Sequence, residues 1–285
     1  MTSPNLRYVT CAHPGGLHRL AYWEWGDADN PQVLLCVHGL TRTGRDFDAI
    51  AQRLSRRFRV VCPDMIGRGR SDWVEDPMLY VVPQYVADCV TLVARLGVDE
   101  VDWLGTSMGG LIGLGLASLN GHPIRRLILN DIGPEIDPVG LARIASYAGA
   151  HPYFDSFEQG EERLRQISAE FGPHTPEQFR ILSSHYVVQR DGRWTFHFDP
   201  SIGTPFKALF HAKMPSAWPQ YDAIRCPTLV IRGERSDVLS RATAEQMTQR
   251  GPRATLVELP GVGHAPTFIP DDQIEVVERY LARGS

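Results

Sequence analysis

No window of this sequence holds the about 18 uninterrupted apolar residues that a membrane-crossing helix needs, and "MTSPNLRYVT" lacks the charged-then-apolar build of a secretion signal. The expectation is a soluble cytoplasmic protein with no membrane partner. Excess charge of one sign is also missing. Twenty-nine Lys and Arg against 33 Asp and Glu leave a formal charge of −4, without the basic face that nucleic-acid binding requires. The one basic cluster, "RLSRRFR" from Arg53 to Arg59, reads as a solvated helix end running into a strand. Cysteine is sparse. Cys11, Cys36, Cys62, Cys89 and Cys226 are odd in number and lack metal-ligand spacing, so they read as buried thiols in a reducing compartment. The ten histidines form no HExxH pattern, and no GxxxxGK[ST] loop is present, so no metal and no cofactor are expected.

What is present is alternation. At 285 residues the chain can bury a large core. "VLLCV" at Val33, "FRVVC" at Phe58, "VDWLG" at Val101, "RLILN" at Arg126, "TLVIRG" at Thr228 and "ATLVEL" at Ala254 read as strands with helical patterns between them. "LRYVTC" and "HRLAYWEWG" supply an antiparallel lead-in. The fold class is α/β, a mostly parallel eight-stranded sheet flanked by helices. Val86, Cys89, Val90 and Val93 mark a crossover helix ending near Gly97, and Ile274, Val277 and Leu281 mark a closing helix. From about Pro134 to Tyr221 no inner strand is evident, whereas "SFEQ" at Ser156 and "TPEQ" at Thr175 are helix starts. The expected organisation is a core of residues 1–134 and 222–285 with a helical cap, 135–221, over the carboxyl ends of the strands. Twelve aromatics lie between Tyr153 and Trp218; most are expected to form the cap's own core and a few to line a pocket.

Gly105, Thr106, Ser107, Met108 and Gly109 form GxSxG between a strand and an apolar helix. A nucleophile on such a bend needs small flanking residues, and Gly113 and Gly115 would let the helix approach the sheet. A phosphate-cradling loop is the competing reading, but its glycines belong at a helix start, and these lie inside the helix. Serine needs a base, and the base needs an orienting acid. His264 in "GVGHAP" and Asp237 in "GERSD" each follow a strand, in the order serine, acid, histidine. The backbone amides of Leu40, after "CVHG", and of Met108 are the expected oxyanion donors. His38 is expected to be structural, since one base suffices.

Together "HGL", "PDMIGRGRSD", "GTSMGG", "GERSD" and "GVGHAP" make the chain resemble the α/β-hydrolase fold superfamily, specifically a serine-nucleophile member with a cap. The resemblance spans essentially the whole length and implies hydrolysis of a small ester or lactone. Arg68 and Ser71 would shape the turn after the fourth strand. Aspartate-nucleophile relatives are disfavoured by Ser107, and carbon–carbon bond hydrolases by Ala265 and Pro266 after the histidine. Those hydrolases and cofactor-free haloperoxidases remain the enzymatic alternatives; a ligand-sensing protein on the same scaffold is the non-enzymatic one. Some superfamily members carry the acid after the sixth strand, where Asp131 and Asp137 stand. The commoner arrangement favours Asp237, leaving Asp131 to anchor the hinge into the cap. Expected partners are the small substrate and, for assembly, a second copy of the chain.

Overall fold

The computed structural model describes residues 3–212 and 215–283, the side chains of 209–212 excepted. The strands are β1 (Asn5–His13), β2 (Gly16–Trp25), β3 (Val33–Val37), β4 (Arg59–Asp64), β5 (Val101–Thr106), β6 (Ile124–Asn130), β7 (Val187–Arg190), β8 (Arg193–Phe196), β9 (Thr228–Gly233) and β10 (Thr255–Leu259). The helices are α1 (Asp48–Leu54), α2 (Val82–Leu96), α3 (Met108–Ala117), α4 (Pro138–Tyr147), α5 (Phe157–Ile167), α6 (Pro176–Ser184), α7 (Gly203–Ala212), α8 (Trp218–Ala223), α9 (Arg241–Met247) and α10 (Asp271–Ala282).

Eight strands form one sheet in the order β1-β2-β4-β3-β5-β6-β9-β10. β1 and β2 pair antiparallel, as does β2 with β4, and the ladder from β4 to β10 is parallel. Alternation along β3 divides the core. Val33, Leu35 and Val37 join the cluster beneath α2 and α3, whereas Leu34 and Cys36 join the one beneath α1 and α10. The closing helix buries Ile274, Val277 and Leu281 as expected. Arg53 at the end of α1 pairs with Glu278 and Asp271 there. In α2, Cys89 and Val93 are buried and Gly97 ends the helix at φ 71°, but Val90 faces outward. All five cysteines are buried and unbridged. No helix among the described residues is long and apolar enough to cross a membrane.

Between β6 and β9 the chain leaves the sheet through α4 to α8. Thr175 and Gln178 complete a reciprocal capping box at α6, and Ser156 caps α5. The segment is not purely helical. β7 and β8 form a separate antiparallel hairpin closed by Asp191 and Gly192, at φ 50° and 77°. Positive φ at both turn positions is the tight hairpin geometry that an Asp-Gly pair favours.

Candidate active site

Ser107 sits between β5 and α3 with φ 50° and ψ −114°, a conformation costly for a residue with a side chain. The flanking glycines make that bend possible. A Cβ on Gly105 would lie 2.2 Å from the Gly109 carbonyl oxygen, and one on Gly109 would lie 2.0 Å from that of Val37. Gly113 serves the close approach expected of it, since its Cβ would stand 2.4 Å from Trp103 Nε1. Gly115 does not; a Cβ there would make only ordinary contact with Val86.

The imidazole of His264 spans the serine and a carboxylate. Nε2 is 3.0 Å from Ser107 Oγ, and Nδ1 is 2.8 Å from an oxygen of Asp131. Hydrogen-bond consistency puts the proton on Nδ1, donated to Asp131, and leaves Nε2 to accept from the serine hydroxyl. Asp131 follows β6 directly, is fully buried at φ 55°, and also accepts from the Gly233 N–H at 2.9 Å and the Ser236 hydroxyl at 2.6 Å.

This corrects the expectation for Asp237. Its carboxylate receives two hydrogen bonds from Arg143 of α4, at 2.6 and 2.7 Å, and makes none to His264. Burial pushes this carboxyl up, but the hydrogen bonds and charge of Arg143 outweigh it and hold the group below its ordinary range. The backbone fixes the same contact: Gly140 N–H donates to the Asp237 carbonyl and Asp137 N–H to that of Val238, each at 2.9 Å. Asp237 is thus part of the seam that docks α4. Asp137, the other acid considered, caps α4 by accepting from Val139 N–H.

The amides of Leu40 and Met108 have no acceptor among the described residues; Leu40 lies in the loop after β3, and Met108 is the first residue of α3. Both are braced by Arg68, a buried side chain whose guanidinium donates to the Leu40 carbonyl at 2.8 Å and stands 3.6 Å from Met108 Sδ. It also donates to the Ile66 carbonyl and the Tyr85 hydroxyl. Arg68 therefore holds the two amide-bearing segments to each other, more than the turn-shaping expected of it. Ser71 does shape its turn, donating to the Asp64 carbonyl and accepting from Ala21 N–H. His38 is structural: Nδ1 donates to the Gly39 carbonyl, Nε2 accepts from Met65 N–H, and burial pushes its imidazole down to about 3.

Ser107 and His264 open onto a cavity of about 50 Å³ lined also by Leu40, Arg42 and Thr106. The inserted segment supplies its other wall through Ile144, Tyr147, Leu164, Ile167, Ser168, Phe171 and Tyr186. Of the aromatics counted in the sequence, Phe171 and Tyr186 thus reach the cavity. Tyr186 also stacks on Phe196 and Phe198, with centroids 4.8 and 6.1 Å away. The side chain of Phe210 lies outside the described residues. A second cavity, of about 40 Å³, shares Arg42, Thr106, Phe171 and Ala265 with the first.

Away from this site the fold gathers Cys11, His18 and Asp88, whose ligand atoms lie within 4.8 Å of one another. Spacing in the sequence gave no hint of this group, which the β1–β2 hairpin and α2 assemble. His18 Nε2 stands 3.1 Å from Asp88 Oδ2, and both atoms are buried without a hydrogen-bond partner among the described residues.

Residues 34–279 match the family described as the alpha/beta hydrolase family. A 3-hydroxybutyrate-oligomer hydrolase from Cupriavidus necator is 50% identical, with 98% of each chain covered. Among solved structures, an alpha/beta hydrolase from Novosphingobium aromaticivorans is 39% identical with a TM-score of 0.88, and 99% of each chain is covered. An E-2-(acetamidomethylene)succinate hydrolase superposes with a TM-score of 0.84 at 20% identity, covering 98% of this chain and all of its own, a likeness of fold alone.

Proposed function

The chain belongs to the alpha/beta hydrolase family, and on that premise we propose that this ester hydrolase cleaves short oligoesters of a hydroxy acid through an acyl-enzyme on Ser107. The reading rests on the hydrogen-bonded run from Ser107 through His264 to Asp131; the half-identical oligoester hydrolase supports the substrate class. Ser107 Oγ attacks the ester carbonyl while its proton passes to His264 Nε2. Asp131 keeps the proton on Nδ1 and stabilises the imidazolium. The Leu40 and Met108 amides receive the oxyanion, helped by the helix terminus at Met108. The leaving alcohol takes the proton from Nε2, and water activated by the same nitrogen releases the acid.

Residues 135–221 act as the cap of a core made by 1–134 and 222–285. The cavity of about 50 Å³ is far below the about 300 Å³ at the small end of ligand pockets. A dimeric ester therefore needs more room than this wall of Ile144, Tyr147, Leu164 and Phe171 leaves beside Ser107. Five unbridged buried thiols support a cytoplasmic location. The test is hydrolysis of a 3-hydroxybutyrate dimer by wild type and Ser107→Ala. The substitution should lower turnover about a thousandfold or more; unchanged turnover would rule out the serine mechanism.

A further inference from the structure

Arg42 stands in the loop after β3, two residues past Leu40, and is 6% exposed. Three of its five guanidinium donors are spent: Nε and Nη2 each donate to Asp46 at 2.7 Å, and Nη2 also donates to the Leu182 carbonyl at 3.1 Å. The guanidinium lies 4.4 Å from the centre of the Tyr186 ring. Nη1 is buried and has no partner among the described residues. Two N–H groups of a charged side chain are thus desolvated with nothing to receive them, although buried donors are nearly always paired.

The unpaired nitrogen belongs to a residue that lines both cavities. One contains Ser107 and His264; the other adjoins it and is walled further by Phe47, Leu182, Pro266 and Phe268 together with His38, Thr267 and Asp46, whose carboxylate is already paired with Arg42. At about 40 Å³ the adjoining space exceeds the about 10–15 Å³ needed for one water and suits a small polar end group. We propose that this side cavity is a subsite for a carboxylate, with Arg42 Nη1 as its donor, so that the enzyme prefers esters that end in a free acid. The inference builds on the ester-hydrolase reading above. Asp46 and Tyr186 hold the guanidinium in place before substrate arrives, so little ordering is lost on binding. Because Asp46 already balances the charge, recognition comes from directed charge-assisted hydrogen bonds more than from net attraction.

The experiment compares two 3-hydroxybutyrate dimers, one ending in a carboxylate and one in a primary amide. Wild type should favour the acid in kcat/KM by about tenfold or more, the range of a charge-assisted hydrogen bond. In Arg42→Lys, which keeps a cation for Asp46 but loses the fork, and in Arg42→Gln, that preference should fall at least about tenfold. Absence of the preference in wild type overturns the proposal, as does its survival in either folded variant or an equal loss on both dimers. Calorimetry on wild type adds a measurement that needs no variant: 3-hydroxybutyrate should bind more tightly than its amide, and equal binding overturns the subsite. If neither dimer is cleaved, or Ser107→Ala cleaves both at the wild-type rate, the hydrolase reading fails, and the calorimetric comparison still decides the subsite.

Discussion

Exchanging each candidate acid for its amide separates their roles. In Asp131→Asn one side-chain oxygen can still accept from Gly233 N–H, the bond measured at 2.9 Å. The NH₂ group then faces His264 Nδ1, where a carboxylate oxygen stood at 2.8 Å. A donor there favours the tautomer with its proton on Nε2, which cannot accept the Ser107 proton. The matching substitution in a serine protease lowers kcat by about 10⁴ while preserving geometry, and a loss of about 10³–10⁴ is expected here. Asp237→Asn breaks only the Arg143 pair, whose side chains are 23% and 27% exposed. Such a pair contributes at most about 1 kcal/mol, equivalent to about fivefold in rate even if all of it were expressed in the transition state. The assay is steady-state hydrolysis of p-nitrophenyl butyrate, with labelling of Ser107 by a fluorophosphonate and thermal unfolding as the folding control. If Asp237→Asn fell below about a thousandth of wild-type kcat while Asp131→Asn kept about a tenth, the assignment of the acid would be refuted.

Two further outcomes follow from the same structure. His38 is held neutral with its imidazole pushed down to about 3, whereas the unfolded chain titrates near about 6.5. Its stabilising effect is complete above the unfolded value and is lost as pH falls toward the folded one, by up to about 1.4 kcal/mol per pH unit. Urea-unfolding midpoints of His38→Asn should fall less steeply between those limits than those of wild type; an unchanged slope would contradict this. Arg68→Met should lower kcat about 10–100-fold, the scale of lost charge-assisted hydrogen bonds, with KM little changed and Arg68→Lys intermediate. An unaltered kcat in folded Arg68→Met would remove Arg68 as the brace of the two amides.

The sequence already displayed the sheet and the serine turn because both depend on local constraints. Alternation fixes which side of β3 each residue faces, and the bend at Ser107 tolerates only glycine at 105 and 109. The acid was harder to read. Asp131 and Asp237 both precede His264 and both follow strands, so chain order cannot separate them. β6 and β9 are neighbours in the sheet, and their loops emerge side by side. The choice is made by Arg143, 94 residues before Asp237 in the chain, and no local pattern links the two. The β7–β8 hairpin does have a local signal, the Asp-Gly turn between strand-like runs in "VVQRDGRWTF", but its four-residue strands stand apart from the main sheet and its buried alternation. The unfilled donor on Arg42 depends on distant contacts with Leu182 and Tyr186, beyond the reach of a linear reading.

Holding the imidazole from the end of β6 also sets where the protein can be cut and rebuilt. Asp131 lies just upstream of Pro138, where α4 begins, and the loop after β9 receives α4 through Gly140, Arg143 and Asp137. A chimaera that takes its roof from another hydrolase would therefore need its first junction downstream of Asp131. It would also need residues 237 and 238 to come from the roof's donor. A splice placed by the more common location of the acid would keep Asp237 for chemistry it does not serve and discard the carboxylate that His264 touches.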